Sequence, residues 1–441
     1  MSAELISILV LVAVFVIATT RSINMGALAF AAAFGVGELV AGLDADGIFA
    51  GFPGDLFVVL VGVTYLFAIA RANGTTDWLV HAAIRLVRGR IALIPWVMFA
   101  VTGALTAIGA VSPAAVAIVA PIALSFAVQY GISPLLMGAM VVHGAQGGGF
   151  SPISIYGSIV NGIVEREKLP GSELTLFLVS LAANLIIAGI VFVLLGGLRL
   201  TGGQSGADRP GKNPGETDRA AEWAADQAAD RAAERAGAPE HVRLTPARTA
   251  TLAALVALVV AVLGFDLDAG LSAITLAVLL SACWPETSRR AVGAIAWPTV
   301  LLICGVLTYV GVLEEMGTID YAGNAVGDIG IPLLAAVLLC YIGAVISAFA
   351  SSVGIMGALI PLAVPFLAQG EIGAVGMVAA LAVSATVVDV SPFSTNGALV
   401  LAAAPDVDRE RFFRQLMVYG GIVVAVVPAA VWLVLVVPGS V

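Results

Sequence analysis

The chain has 441 residues, of which 60% are hydrophobic and only 11% charged, with a mean hydropathy of +1.06. No soluble domain of this size buries so much apolar surface, so the composition specifies a polytopic membrane protein. A net charge of −9 excludes the basic patch that a nucleic-acid partner requires, and the three cysteines, inside apolar runs at no metal-ligand spacing, read as small core residues.

In chain order, apolar runs at 4–20, 24–41 and 53–70 are each about long enough to cross a bilayer as helices. The first has neither a basic flank before it nor a small-residue cleavage site after it, and is expected to be retained. Residues 72–90 intersperse Trp78, His81, Arg85, Arg88 and Arg90 among Leu79, Ile84, Leu86 and Val87, the pattern of an amphipathic helix lying in the interface. The run 91–129 is too long for one span and is interrupted at Gly109-Ala110-Val111-Ser112-Pro113. Two helical arms meeting at a break describe a re-entrant hairpin, whose irregular backbone needs cover from protein or a water-filled cavity. The next span, 133–165, is broken at Gly147-Gly148-Gly149-Phe150-Ser151-Pro152, where Gly and Pro together unwind a helix. Residues 173–198 close the first half.

Residues 199–246 turn to Gly, Asp, Arg, Glu and Ala and read as a charged cytoplasmic linker, with a solvated helix expected over 219–236. The second half retraces the first, with spans at 247–264, 269–284 and 294–313. A hairpin over 330–368 is broken at 350–354, a span over 372–404 is broken at Ser391-Pro392, and a last span covers 415–438.

The second half is a copy of the first. Ser112, Pro121 and Ser151-Pro152-Ile153-Ser154-Ile155-Tyr156-Gly157 recur as Ser352, Pro361 and Ser391-Pro392-Phe393-Ser394-Thr395-Asn396-Gly397, all at an offset of 240 residues. Ala123/Ala363, Phe126/Phe366 and Gln129/Gln369 keep the same register. Repeats carrying helix breakers at matching points are the pattern of a transporter built about a midplane site. The Lys/Arg distribution places the basic loops on one side, with Arg166 and Lys168 dissenting. Five crossings per half then make the halves inverted and put both termini outside. The expected fold is an all-α polytopic membrane protein: two inverted repeats of about five transmembrane helices (1–198 and 247–441), each with a re-entrant hairpin and a broken helix.

Helix ends at the breaks favour anions, and hydroxyls, amides and freed carbonyls are donors to carboxylates or ligands for a hard cation. The candidate substrate residues are Ser112, Pro113, Ser151, Pro152, Ser154, Ser351, Ser352, Ser391, Pro392, Ser394, Thr395 and Asn396. Candidate coupling-ion ligands are Ser112, Gly149, Ser352, Asp389 and Gly397. Asp389 and His143 are ionisable groups inside the broken spans, which makes each a functional candidate because burial in a membrane is expensive. Asp389 is suited to ligate a cation or carry a proton, and His143 and Gln146 to line the cavity. No metal centre is expected, and no Walker motif is present to couple transport to nucleotide hydrolysis.

Three stretches carry a family resemblance: Ile23-Asn24-Met25-Gly26-Ala27-Leu28-Ala29-Phe30, then Ile48-Phe49-Ala50-Gly51-Phe52-Pro53-Gly54-Asp55-Leu56-Phe57, then the broken span from His143 to Gly157. Together they resemble the dicarboxylate (malonate) carriers of the MatC type. The duplicated architecture is similar, more widely, to the divalent anion:sodium symporters of the ion-transporter superfamily. That resemblance implies a homodimer, elevator-like movement, and hairpin tips bearing Ser-Asn-Thr for sodium and substrate carboxylates. Here the tips read Ser112-Pro113-Ala114 and Ser351-Ser352-Val353 or Ser352-Val353-Gly354, without the Asn and Thr, which opens coupling to H⁺ through Asp389 as well as to Na⁺. The expectation is a secondary carrier of malonate or a four-carbon diacid in a bacterial cytoplasmic membrane, with no enzymatic activity. The rival expectation is a cation/proton antiporter of the same superfamily, in which Asp389 would be essential.

Overall fold

The computed structural model describes residues 2–21, 23–85, 90–201, 244–319, 321, 332–348, 352–368, 372–404 and 407–439. Ser351, Asp320, Gln369 and the linker helix expected at 219–236 lie outside them. Among the described residues every regular element is helical.

Ten helices follow one another in the first half. They are α1 (Ala3–Thr20), α2 (Met25–Val36), α3 (Ala45–Ala50), α4 (Gly54–Ala72), α5 (Thr75–Arg85), α6 (Ile94–Ala107), α7 (Ser112–Tyr130), α8 (Pro134–Gly148), α9 (Ile155–Arg166) and α10 (Glu173–Leu194). A short α11 (Gly197–Thr201) ends that half. The second half repeats the order with α12 (Pro246–Phe265), α13 (Ala269–Cys283), α14 (Pro285–Gly293) and α15 (Trp297–Glu315). It continues with α16 (Pro332–Ser347), α17 (Ser352–Ala368), α18 (Ala374–Val387), α19 (Thr395–Ala403) and α20 (Arg409–Val431). Six helices are long and apolar enough to cross a membrane on their own, among them α4, α7, α10, α12 and α15. The spans expected at 133–165 and 372–404 are each two helices, α8 with α9 and α18 with α19.

Each expected break has a local cause. Gly109 closes α6 at φ +115°, a conformation that side chains rarely tolerate, and Pro113 at the start of α7 suits the first turn of a helix, where no N–H partner is needed. Pro121 sits inside α7, so the apolar arm continues through it.

The two halves interlock about a pseudo-twofold relation. Helix α4 packs on α13 of the other half, and α15 packs on α2. Both crossings are made by glycines. A Cβ on Gly62 would stand 2.5 Å from the Gly270 carbonyl oxygen, and one on Gly305 would stand 2.0 Å from that of Gly26. Small residues let helix backbones touch in a membrane, where lipid supplies no hydrophobic drive for helices to associate. In the same exchanged manner, α7 packs on α19 and α17 on α9. The second arm of each hairpin therefore meets the broken span of the opposite half.

The polarity is inside-out. Leu178, Ile186, Ile190, Val193 and Leu194 of α10 and Val256, Val260 and Leu263 of α12 are exposed, as suits contact with lipid. Ser112, His143, Gln146, Asn184, Asp389 and Asn396 are buried. Arg166, one of the two residues that broke the charge asymmetry, donates through its guanidinium to the Gly51 carbonyl at 3.0 Å, so its charge serves a packing contact between α9 and the end of α3.

Candidate functional site

The two broken spans are the same structure built twice. Ser154 N–H donates to the Ser151 carbonyl at 2.9 Å, and Ser394 N–H to that of Ser391 at 3.0 Å. Gly157 N–H reaches back to the Gly149 carbonyl at 3.2 Å, and Gly397 N–H to that of Asp389 at 3.1 Å. Ser154 and Ser394 are the N-caps of α9 and α19, each accepting from the glycine three residues on. Such a cap satisfies one of the four free N–H groups at a helix start. Each cap hydroxyl also donates to the carbonyl of Ser151 or Ser391, at 2.7 Å in both copies. The glycine is obligatory, because a Cβ at 157 or 397 would stand 2.0 Å or 1.9 Å from that same carbonyl oxygen. Ser-Pro-x-Ser-x-x-Gly is thus the code for one tight break: a carbonyl, a capping hydroxyl bonded to it, and a glycine that lets the new helix pass close by.

This places several of the residues expected to bind substrate. The Ser154 and Ser394 hydroxyls are committed to the scaffold. Ser151 donates its hydroxyl to the Ala107 carbonyl at the end of α6, pinning the first broken span to the first hairpin. The Ser391 hydroxyl accepts from Phe393 N–H at 3.3 Å. Pro392 is buried with the break, whereas Thr395 is exposed. Gly149 and Gly397 sit on opposite sides of their breaks, and the Gly149 carbonyl also accepts from the Ser154 hydroxyl.

Four expected residues do converge. Asn396 at the start of α19 donates through Nδ2 to Ser112 Oγ at 2.8 Å, across 284 residues of chain. The same amide lies 2.9 Å from Asp389 Oδ2, and Gln146 Nε2 of α8 donates to that oxygen from 3.0 Å. The Asn396 backbone N–H points at Asp389 Oδ1 from 3.5 Å. All four are at most 3% exposed. The first hairpin tip, the first broken span and the second broken span thus meet at one carboxylate. Two carbonyl oxygens in this cluster, Gln146 Oε1 and Asn396 Oδ1, are buried without a hydrogen-bond partner.

The convergence is not mirrored in the other half. The positions 240 residues before Asp389 and Asn396 hold Gly149 and Tyr156, and the position 240 after Gln146 holds Thr386. Thr386 bonds back to Ala382 within its own helix at 2.8 Å. Ser352 stays within the second hairpin, its Oγ accepting from Ser347 Oγ at 2.8 Å.

His143 takes a different place from the one expected. Its Nδ1 is 2.8 Å from Asn184 Oδ1 on α10 and its Nε2 is 2.5 Å from the Tyr419 hydroxyl on α20. Because Asn184 Oδ1 only accepts, Nδ1 carries the proton and Nε2 accepts from tyrosine. The ring is a neutral bolt between three helices. Asn184 and Tyr419 were not singled out in the sequence. Asn184 had a legible signal, since it stands one turn after Ser180 on an otherwise apolar helix.

Beside the first hairpin tip lies a cavity of about 290 Å³. Its wall runs from Thr64 and Arg71 of α4 through Val111 and Pro113 to Pro298 and Thr299 at the start of α15. The first turn of α7 borders it, so Ser112, 2% exposed, separates the cavity from the Asp389 cluster. Arg71, Thr64 and Thr299 were not among the expected site residues.

Comparison with known proteins bears on this geometry. Residues 1–149 match the family model described as the dicarboxylate carrier protein MatC N-terminus. The resemblance to MatC-type carriers holds. The matched part ends at Gly149, covering the first hairpin and the first half of the first broken span. No curated protein sequence matches the chain. Among solved structures, the YdaH transporter of Alcanivorax borkumensis, described as having an unusual topology, shares the fold. It aligns at TM-score 0.51 with 16% identity over 89% of each chain. The protein is accordingly a multi-pass membrane protein with a transporter fold.

Proposed function

We propose that the protein is a secondary carrier of small dicarboxylates, malonate or a four-carbon diacid, in a bacterial cytoplasmic membrane. The observation that carries this reading is the junction of Ser112, Asn396, Asp389 and Gln146, drawn from three broken elements of both halves, beside a cavity that Arg71 helps to line. The match of residues 1–149 to the MatC N-terminus gives the substrate class. The cavity offers a diacid the Arg71 guanidinium at one end and the opening turn of α7 at the other, and both favour negative charge.

Alternating access follows from the exchanged packing. The broken span of each half lies against the hairpin of the other, so one half cannot rock without reshaping the surroundings of the other's break. Elevator-type movement and a homodimeric scaffold belong to the proposal through the resemblance alone. A cation/proton antiporter is the second reading, and the buried Asp389 carboxylate is what favours it.

Binding tests the two readings before any flux is measured. Malonate or succinate at about 100 times its Kd stabilises the native state by about 2.7 kcal/mol. The purified protein should therefore melt at higher temperature with either diacid and not with acetate, and Arg71→Ala should abolish the shift. No shift with any diacid up to solubility would favour the antiporter.

A further inference from the structure

Five buried polar side-chain atoms lack a hydrogen-bond partner, and two of them belong to one cluster. Gln146 Oε1 and Asn396 Oδ1 flank Asp389, while their own NH₂ groups both point at Asp389 Oδ2. Native proteins rarely bury acceptors unpaired, and each such atom calls for an explanation. Asp389 is 3% exposed, and Gln146 and Asn396 are fully buried. Its hydrogen-bonding neighbours bring no positive charge to offset the carboxylate.

We propose that Asp389, Gln146 and Asn396 form the binding site of a single monovalent hard cation, of Na⁺ size. A half-turn of each amide exchanges NH₂ for carbonyl oxygen at almost no change in shape. The carboxylate and two amide oxygens then surround one point, which is the all-oxygen ligand set that hard cations take. Ser112, which accepts from Asn396 in the empty arrangement, turns its hydroxyl to donate to Asn396 Oδ1. Both stranded acceptors thereby gain a partner.

The alternatives fit less well. A proton on Asp389 supplies one O–H, which can satisfy only one of the two acceptors. A divalent ion leaves a net positive charge in a buried site, whereas a monovalent ion makes the cluster neutral. The other unpartnered atoms, on Thr76, Asn161 and Ser384, have no carboxylate in such an arrangement. The site joins α8, α19 and, through Ser112, the tip before α7, so the ion would fasten together the parts that border the cavity. That consequence, coupling of the ion to diacid movement, rests on the carrier reading; the site itself does not.

The test is equilibrium binding of radiolabelled Na⁺ to the detergent-purified full chain, with no diacid present. Saturable binding near one ion per chain, not displaced by K⁺, is expected for the wild type. Asp389→Asn and Gln146→Leu, each checked for monodispersity, should weaken it by about tenfold or more. The wild-type measurement keeps the test decisive if either variant misfolds. Absence of saturable Na⁺ binding, or Asp389→Asn binding as the wild type does, overturns the site. Diacid uptake driven by a proton gradient without Na⁺ binding overturns the site and leaves the carrier reading standing. Na⁺ binding with no diacid flux supports the site and removes the carrier reading.

Discussion

Replacing Gly397 by alanine tests the account of the breaks. The new Cβ would stand 1.9 Å from the Ser391 carbonyl oxygen, 2.5 Å from its carbon and 2.8 Å from the Val390 carbonyl oxygen, where ordinary contact begins at 3.4 Å. All three neighbours are backbone, so no side chain can swing aside. The carbonyl must retreat by about 1.5 Å, the difference between those first and last distances, and it is the acceptor of the Ser394 cap hydroxyl. Overpacking typically costs about 1–3 kcal/mol, and loss of an N-cap about 1 kcal/mol more, for a total near 2–4 kcal/mol. Gly157→Ala should cost a similar amount, because its Cβ meets Ser151 at 2.0 Å. Gly421→Ala is the control: nothing lies within 4 Å, and alanine in a helix gains up to about 1 kcal/mol over glycine. Thermal unfolding of the purified proteins in detergent should show large falls for the first two variants and none for the third. Wild-type stability in Gly397→Ala and Gly157→Ala would refute the geometry assigned to both breaks.

Two further predictions concern residues away from the junction. His143→Leu strands Asn184 Oδ1 and the Tyr419 hydroxyl, each at about 1–3 kcal/mol; thermal unfolding should register the loss, while flux per folded molecule should change less than the stability does. Glu167, just beyond α9, has its carboxyl held above the ordinary 4.5, first by burial and then by the Glu314 charge, with Arg166 opposing. Its charged form therefore opposes folding, and the stability lost appears as pH rises through the raised folded-state value. Glu167→Gln should melt higher than the wild type near neutral pH and equally with it below about pH 4, where the side chain is protonated in both states; a constant difference across that range would contradict the assignment.

What the sequence disclosed was local. Ser, Pro and Gly stand out against an apolar background, and a fixed offset of 240 residues repeats them, so the hairpin arms and broken spans were legible within a few residues. The inverted pairing followed from the odd number of crossings. Long-range pairing left no such trace. Nothing near Ser112 announces that Asn396 bonds to it, since that contact depends on how α7 and α19 of different halves cross.

The roles of the serines were not legible for a chemical reason. A hydroxyl that caps a helix and one that binds a carboxylate have the same identity and the same place beside a break. In Ser154-Ile155-Tyr156-Gly157 and Ser394-Thr395-Asn396-Gly397, the glycine three residues on is the clue to capping. The asymmetry between the halves was visible in the alignment of Gly149 with Asp389 and of Tyr156 with Asn396, and it directs attention to the copy that kept the carboxylate and the amide.

The central claim is that the chain moves a small diacid, and its most direct test is uptake of radiolabelled malonate and succinate into proteoliposomes under separately imposed Na⁺ and proton gradients. The account predicts accumulation of at least one diacid under the Na⁺ gradient, lost in Asp389→Asn and in Asn396→Ala and unaffected by a proton gradient alone. No diacid flux under either gradient, together with Na⁺/H⁺ exchange that Asp389→Asn abolishes, would contradict it and make the protein an antiporter.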